Sequence, residues 1–178
     1  RIPYRIRYLP DPICWTEAPE DLGTLGRQRS RWQRGLAESL TRHAPLALSP
    51  RAGAAGLLAW PFMTLFELVG PLIELAGYVV MIGGFALGLI SPAALVVFLL
   101  VAIGMGILLS VNGLLLETLS FRVYARKRDM LLMFAMAVLE NLGYRQLNTL
   151  WRCRGMWQWF SRRKHTWGVM RRSGTWGQ

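Results

Sequence analysis

Residues 65–90 read LFELVGPLIELAGYVVMIGGFALGLI, and residues 93–120 read AALVVFLLVAIGMGILLSVNGLLLETLS. As a helix rising 1.5 Å per residue, the first stretch would be about 39 Å long, which exceeds the roughly 30 Å hydrocarbon core of a bilayer. The uncharged dipeptide Ser91-Pro92 separates the two stretches and marks a tight turn. The pattern predicts a transmembrane hairpin over residues 57–120 and a mainly α membrane protein.

The cations of the chain lie on either side of this hairpin. Residues 52–121 contain no Lys or Arg, whereas residues 1–51 contain nine and residues 122–178 contain twelve. A soluble protein with a net charge of +11 needs charged surface on every side, so the bilayer is the simpler explanation. We therefore expect a lipid bilayer as a partner and no nucleic acid, because a soluble nucleic-acid-binding protein has no use for apolar spans.

The basic flanks also predict the orientation of the hairpin. Cytoplasmic loops carry an excess of Lys and Arg, and the loop Arg122–Asp129 contains four of them. The uncharged Ser91-Pro92 turn is expected on the outer side. Both flanks, including a basic tail at residues 161–178, are then expected in the cytoplasm.

The first residues of the chain resemble the inside of a domain. Residues 4–9 alternate in hydrophobicity with nearly the period of a half-buried β-strand, and Pro10 and Pro12 end the run. Because the chain starts at Arg1 with strand-like sequence, we expect residues 1–18 to be the edge of a larger domain and the chain to be part of a longer protein.

Residues 19–44 are predicted to contain one helix, from about Pro19 to Arg42, because Pro and acidic residues suit a first helical turn. Its arginines and its apolar residues fall on different sides, which predicts an interfacial amphipathic helix at the membrane surface. A soluble amphipathic helix with a solvated basic face would have the same pattern. The apolar side contains Leu22, Leu25, Trp32, Leu36 and Leu40, and the basic side contains Arg27, Arg29, Arg34 and Arg42.

The sequence leaves open how often residues 130–160 cross the membrane, because only the first half of this segment is apolar. Polar residues interrupt the centre of the segment, where a charge facing lipid costs about 2.5 to 3.5 kcal/mol on insertion scales. A single crossing would also place the basic tail outside. Over residues 121–160 we expect a cytoplasmic loop followed by interfacial or re-entrant helices. The interrupting residues are Glu140, Asn141, Arg145, Gln146 and Asn148, and the residues that suit the headgroup belt are Trp151, Trp157 and Trp159.

Three carboxylates lie in or at the edge of the apolar stretches. Ionisable groups at membrane depth usually face a bundle interior or a watery cavity. Glu74 is therefore a possible lining residue of a channel. Glu67 and Glu117 are closer to the ends of the spans, where they can reach the headgroups.

Gln28, Arg31 and Trp32 form the most informative spacing. Positions i, i+3 and i+4 share one face of a helix, and Gly35 leaves that face uncrowded one turn later. An amide, a guanidinium and an indole ring are the groups that a sugar-transfer site needs, because they can bind hydroxyls, a diphosphate and the apolar face of a pyranose. A Trp on such a helix is also a common membrane anchor, and an Arg a common headgroup contact.

These three residues match the Q-x-x-R-W motif, and the chain thereby resembles the processive family 2 glycosyltransferases, which include cellulose, hyaluronan and poly-N-acetylglucosamine synthases. Residues 8–12 and 15–20 resemble the segment before that motif, and residues 27–35 resemble its core. Residues 164–174, with Trp167-Gly168, Met170, Arg172 and Gly174, resemble the tail of the family.

The resemblance implies an inverting hexosyl transfer from a nucleotide-diphosphate sugar to a glycan acceptor at a bacterial inner membrane. It implies that Trp32 stacks on the acceptor at the mouth of the channel, and that Gln28 and Arg31 lie near the donor diphosphate. It also implies a GT-A catalytic domain upstream, a divalent cation (magnesium or manganese) on the diphosphate, and an aspartate that removes the acceptor proton.

The chain departs from the family in lacking a D-x-D motif. The metal-binding and catalytic aspartates of the family lie before the region that matches Arg1. We therefore expect no catalytic residue and no metal ligand in this chain, and no bound cofactor. Cys14 and Cys153 are too far apart for metal-ligand spacing.

The sequence leaves two other functions open. One is a non-processive membrane glycosyltransferase that acts on a lipid, and the other is a non-enzymatic cationic channel or scaffold subunit. The identity of the sugar and its linkage are not encoded in these residues.

Overall fold

The computed structural model describes residues 18–121 and 126–162, and all regular elements in these ranges are helices. This confirms the expectation of a mainly helical chain. The predicted strand at residues 4–9 and the tail from residue 163 lie outside the described residues. The five main helices are α1 (Leu22–Arg42), α2 (Ala55–Ala86), α3 (Pro92–Phe121), α4 (Lys127–Leu139) and α5 (Tyr144–Phe160).

Helix α1 begins at Leu22, whereas the sequence predicted a start at about Pro19. Asp21 has an extended backbone, and its Oδ1 accepts a hydrogen bond of 2.7 Å from the Thr24 backbone N–H. An aspartate in this position satisfies one of the four N–H groups that have no partner inside the helix. The cap therefore fixes the helix start after Pro19.

The side of α1 that is buried is not its leucine-rich side. Leu22 is 62% exposed. The buried positions are spaced four, three and four residues apart, so they form one stripe along the helix. The stripe packs against α5 and has mostly small side chains, which let the two helices come close. It consists of Gly26, Ser30, Gln33 and Ala37.

Two glycines make the contact between α1 and α5 possible. A Cβ atom on Gly26 would lie 2.6 Å from Nε1 of Trp151, and a Cβ atom on Gly155 would collide with the Ser30 carbonyl oxygen. Ser30 Oγ also donates a hydrogen bond of 2.9 Å to the Trp151 carbonyl. Because Gly26 meets Trp151 and Ser30 meets Gly155, the two helices run parallel.

We expect Gly155→Ala to lower the free energy of unfolding by about 1 to 3 kcal/mol, because the added methyl group meets backbone atoms that cannot move aside. The measurement is thermal unfolding of the detergent-solubilised protein. Gly113→Ala on α3 is the matched control, because a Cβ atom there meets no atom within 4 Å. Equal melting temperatures for the two variants would contradict this account of the contact.

Helix α2 has wider turns in its first half. Residues Ala55–Ala59 and Met63–Val69 have π-helical hydrogen bonding, and Gly70–Ala86 is α-helical. Pro61 and Pro71 account for the change, because a proline has no N–H to donate and its ring clashes with the carbonyl four residues before it.

The first long helix ends earlier than the sequence predicted. It stops at Ala86 rather than at Ile90. Gly88 adopts a left-handed conformation with φ +73, its N–H bonds to the Phe85 carbonyl, and the Leu89 N–H bonds to the Gly84 carbonyl. This pair of bonds is the Schellman motif, and glycine is the residue that forms it without strain. The connection to α3 therefore spans Leu87 to Ser91.

Helices α4 and α5 pack against α3 and α2, respectively. The thirteen residues of α4 span about 20 Å, too short to cross a bilayer, and α4 packs back along α3. The following turn places Asn141, which is 1% exposed, against Gly106 in the middle of α3. Helix α5 then runs antiparallel to α2, so it returns toward the end from which α4 started. The expected re-entrant region is compatible with this path, and its depth in a membrane stays a prediction.

Helices α2 and α3 are both long and apolar enough to cross a membrane, with mean hydropathies of 1.8 and 2.9. Their apolar side chains mostly point away from the rest of the protein, as do Leu87 (76% exposed), Leu89 (79%) and Leu119 (78%). Monomeric soluble proteins rarely expose apolar patches of this size. The surface composition is thus that of a protein in contact with lipid or with further helices.

Candidate functional site

Gln28, Arg31 and Trp32 lie on one face of α1, which we call the Gln-Arg-Trp face. At about 100° per residue, the three positions fall within about a third of the helix circumference and lie opposite the stripe that packs on α5. Trp32 is 54% exposed, whereas Gln28 and Arg31 are half-buried. Around Gly35, one turn later, a Cβ atom would meet nothing within 4 Å. The face is thus open on its aromatic side, and its role in binding stays a prediction.

Arg29, predicted only as part of the basic side of α1, contacts this face. Its guanidinium carbon lies 4.7 Å from the centre of the Trp32 ring, within the range of a cation–π interaction. The interaction can fix the orientation of the indole and covers one side of it. The spacing i, i+3 between Arg29 and Trp32 is the signal in the sequence that could have identified the pair.

The start of α1 is fixed by a short chain of hydrogen bonds. Arg27 donates from its guanidinium to Thr24 Oγ1 at 2.7 Å, and Thr24 N–H donates to Asp21. The hydrogen bonds from Thr24 hold the pKa of the Asp21 carboxyl below its usual value. Gln28 lies about two turns after the cap residue Asp21, so the cap holds the helical turns that lead to the Gln-Arg-Trp face.

We expect the Asp21 cap to give α1 a stability that depends on pH. Because the pKa of Asp21 is lower in the folded protein, its contribution is complete above the pKa of the unfolded chain, near 3.8, and is lost as the pH falls through the lower folded value. Thermal melts of the native protein and of Asp21→Asn, measured from pH 6 to pH 2, check this. The native protein should lose more stability across the acid range than Asp21→Asn, which cannot be protonated. Parallel curves would contradict the cap.

Behind α1, Gln33 connects three helices. It is 4% exposed, and its Nε2 donates to the Glu67 carbonyl at 2.9 Å and to the Leu68 carbonyl at 3.3 Å. Arg152 of α5 donates from Nε to Gln33 Oε1 at 2.8 Å and pairs with the Glu67 carboxylate at 2.9 Å. Glu67 was expected near the headgroups, and its contacts with Gln33 and Arg152 were not predicted from the sequence.

Glu74, the predicted lining residue, is paired. Its Oε1 lies 3.1 Å from Nε of Arg145, and its Oε2 accepts a hydrogen bond of 3.2 Å from Thr149. Thr149, but not Glu74, is among the residues that line an open groove of about 440 Å³ between α2, α3 and α5. The channel-lining role of Glu74 therefore remains a prediction.

The described ranges, 18–121 and 126–162, bring together no three His, Cys, Asp or Glu side chains that could hold a metal ion. The acids that lie nearest to one another along α2, Glu67 and Glu74, each pair with an arginine of α5. These residues do not fit a divalent cation, so no chemical step is assigned to a metal here.

Comparison with known proteins identifies relatives of the chain. The family described as glycosyl transferase family group 2 matches residues 1–139. The poly-beta-1,6-N-acetyl-D-glucosamine synthases of Staphylococcus aureus strains COL, MSSA476 and MRSA252 are each 51% identical over 39 residues. That stretch is 22% of this chain and 10% of each relative, so the match spans about a tenth of the length of these synthases. No solved structure matches the chain.

Proposed function

The chain belongs to glycosyl transferase family group 2, and from this premise we propose that it is the acceptor-binding and membrane-translocation part of a polysaccharide synthase. In the parent protein an upstream GT-A domain would bind the nucleotide-diphosphate sugar and carry the catalytic aspartate. The divalent cation, magnesium or manganese, would be bound there and would neutralise charge on the diphosphate.

The observation that carries the proposal is the placement of the Gln-Arg-Trp face. The face points away from the stripe that anchors α1 to α5, and its indole is 54% exposed. A stacking platform for a sugar ring needs this combination, because the helix must be held firmly on one side and leave an aromatic ring open on the other.

Each of the three residues has a proposed part in the transfer. Trp32 would cover the apolar face of the terminal sugar of the glycan and hold its hydroxyl group toward the donor. Arg31 would neutralise the diphosphate that leaves, since a guanidinium binds phosphate oxygens through two parallel hydrogen bonds. The Gln28 amide would donate to a phosphate oxygen or to a sugar hydroxyl.

The membrane placement is part of the proposal. The exposed apolar surfaces of α2 and α3 support a hairpin that crosses a bacterial inner membrane, with the basic flanks in the cytoplasm. Helix α1 would then lie at the cytoplasmic surface, where the glycan enters. Tyr78, Gln146 and Thr149 line the groove, but Gln146 donates to the Tyr78 hydroxyl and Thr149 to the Glu74 carboxylate, so the groove offers an apolar surface.

The activity can be tested with the full-length protein in proteoliposomes. We expect it to convert a labelled nucleotide sugar, with magnesium or manganese present, into a polymer of many residues. Nucleotide-activated N-acetylglucosamine is the first donor to test, because the curated relatives are named as poly-beta-1,6-N-acetyl-D-glucosamine synthases. A single sugar added to a lipid would instead favour the non-processive enzyme, and no transfer from any donor would favour the channel or scaffold.

A further inference from the structure

Gln33 follows Trp32 directly in the chain, and the two side chains leave α1 about 100° apart. Trp32 is mostly exposed, whereas Gln33 is 4% exposed and lies in the stripe that faces α5. Any movement of Gln33 along or around the helix axis therefore moves Trp32 as well, because both belong to the same turn of a stiff helix.

On α2, Gln33 donates to the carbonyls of Glu67 and Leu68. Glu67 lies in the π-helical part of α2, four residues before Pro71, which has no N–H to donate. Gln33 Nε2 and the Arg152 guanidinium both donate to the Glu67 carbonyl. These bonds join α1 and α5 to α2 at the level of Glu67, and Trp60 Nε1 of α2 donates to the Leu40 carbonyl nearer the end of α1.

Arg152 completes the connection because one guanidinium reaches two helices. Its Nε donates to Gln33 Oε1 of α1 at 2.8 Å, and its second nitrogen pairs with the Glu67 carboxylate of α2 at 2.9 Å. The planar fork of arginine can serve both partners at once, whereas the compact ammonium of lysine is a single point charge.

We propose that Gln33, Glu67 and Arg152 are positioning residues that hold the Gln-Arg-Trp face at a fixed height and rotation relative to α2. This inference rests on the proposed function. When the face has this height and rotation, the hydroxyl group at the end of the glycan, rather than water, lies next to the anomeric carbon of the donor.

Transfer to the glycan and hydrolysis of the donor share one leaving group and differ in the nucleophile. In transfer, the acceptor hydroxyl oxygen bonds to the anomeric carbon, the bond from that carbon to the diphosphate breaks, and the hydroxyl proton passes to the base of the GT-A domain. In hydrolysis a water oxygen forms the bond, loses its proton to the same base, and gives free sugar. Misplacement of the acceptor should slow transfer but leave donor binding and hydrolysis nearly intact.

The test uses the full-length enzyme with three variants, Gln33→Met, Arg152→Lys and Arg152→Met. Gln33→Met keeps the length of the side chain and removes its hydrogen bonds. We measure polymer formation, free sugar release and the KM for the nucleotide sugar, together with the melting temperature. Arg154→Lys and Arg154→Met are matched controls, because Arg154 is an exposed arginine two residues away on α5.

We expect Gln33→Met and Arg152→Lys to lower the kcat of transfer about 10-fold and to raise the ratio of hydrolysis to transfer by a similar factor. The KM for the nucleotide sugar should stay within about twofold of the native value, and the Arg154 controls should match the native enzyme in all four measurements. If Arg152→Met does not fold, Gln33→Met still decides the question.

A loss of transfer and hydrolysis in equal proportion would overturn the inference, because it would mean that the cluster only stabilises the fold. An unchanged ratio in Gln33→Met and Arg152→Lys would overturn it as well. Trp32→Ala is included in the same series to separate the two claims. If Trp32→Ala elongates normally, the proposed function of the face fails. If Trp32→Ala loses elongation while the Gln33 and Arg152 variants keep the native ratio of hydrolysis to transfer, only the inference about Gln33 and Arg152 fails.

Discussion

Trp32→Ala in the full-length enzyme is expected to lower elongation by about 100-fold or more, which amounts to loss of polymer in a standard assay. The indole would be the surface on which the terminal sugar rests, so its removal leaves the acceptor without a fixed position. Membrane insertion should not change, because the stripe that holds α1 to α5 lies on the other side of the helix. The measurement is the amount and length of labelled polymer per membrane-inserted enzyme.

Trp157→Ala is the matched control for Trp32→Ala. Trp157 is also an exposed tryptophan, at 68%, but it lies on α5. Its loss should change elongation by less than about twofold, since an exposed anchor contributes little to positioning. Equal losses of polymer in the two variants would mean that both tryptophans act as membrane anchors and that Trp32 has no special role.

Arg31→Ala is expected to reduce the kcat of donor turnover by about 100-fold, because removal of a single group that stabilises developing charge typically costs that much. The diphosphate acquires negative charge as the bond to the sugar breaks, and the guanidinium would compensate for it. Hydrolysis and transfer should fall together in this variant, unlike in the Gln33 and Arg152 variants. Initial rates of nucleoside diphosphate release, with and without acceptor, give both quantities.

Arg42→Ala removes one cation from the exposed last turn of the same helix and serves as the control for charge alone. Its kcat should remain within about twofold of the native value, because an exposed charge more than two turns from Arg31 is screened by solvent and salt. A comparable loss in Arg42→Ala would show that the general basic character of α1, and not Arg31, supports turnover.

The features of the fold that depend on local pattern could be predicted from the sequence. The long apolar stretches predicted helices α2 and α3, and the amphipathic spacing predicted α1. The helix ends were less predictable, because they depend on single hydrogen bonds such as the Asp21 cap and the Gly88 turn. The packing side of α1 was missed because close contact selected Gly26 and Ser30, which carry no hydrophobic signal.

The charged residues of the apolar region show most clearly which contacts could not be predicted from the sequence. Glu67 and Glu74 stood out as acids in the first apolar stretch, and Arg145 stood out as an interruption of a later one. The structure pairs Glu67 with Arg152 and Glu74 with Arg145, seven residues apart on each of two antiparallel helices. Each of the two carboxylates on α2 thus has an arginine partner on α5. Partners more than seventy residues apart leave no local signal.

For the candidate site, the sequence alone predicted which residues share a face but not what holds that face in place. The i, i+3, i+4 spacing was sufficient for Gln28, Arg31 and Trp32. The contact of Arg29 with Trp32 could have been predicted from the same rule. The connection through Gln33 to α2 and α5 needed the three-dimensional fold, because it depends on a carbonyl of α2 that faces α1.

The most direct measurement is a structure of the elongating full-length enzyme in a lipid nanodisc, stalled with a glycan attached. The account predicts that the terminal pyranose lies against the open side of the Trp32 indole, about 4 Å from the ring, with Arg31 and Gln28 directed toward the donor diphosphate. A glycan that passes elsewhere, while the Trp32 ring faces the acyl chains, would contradict it.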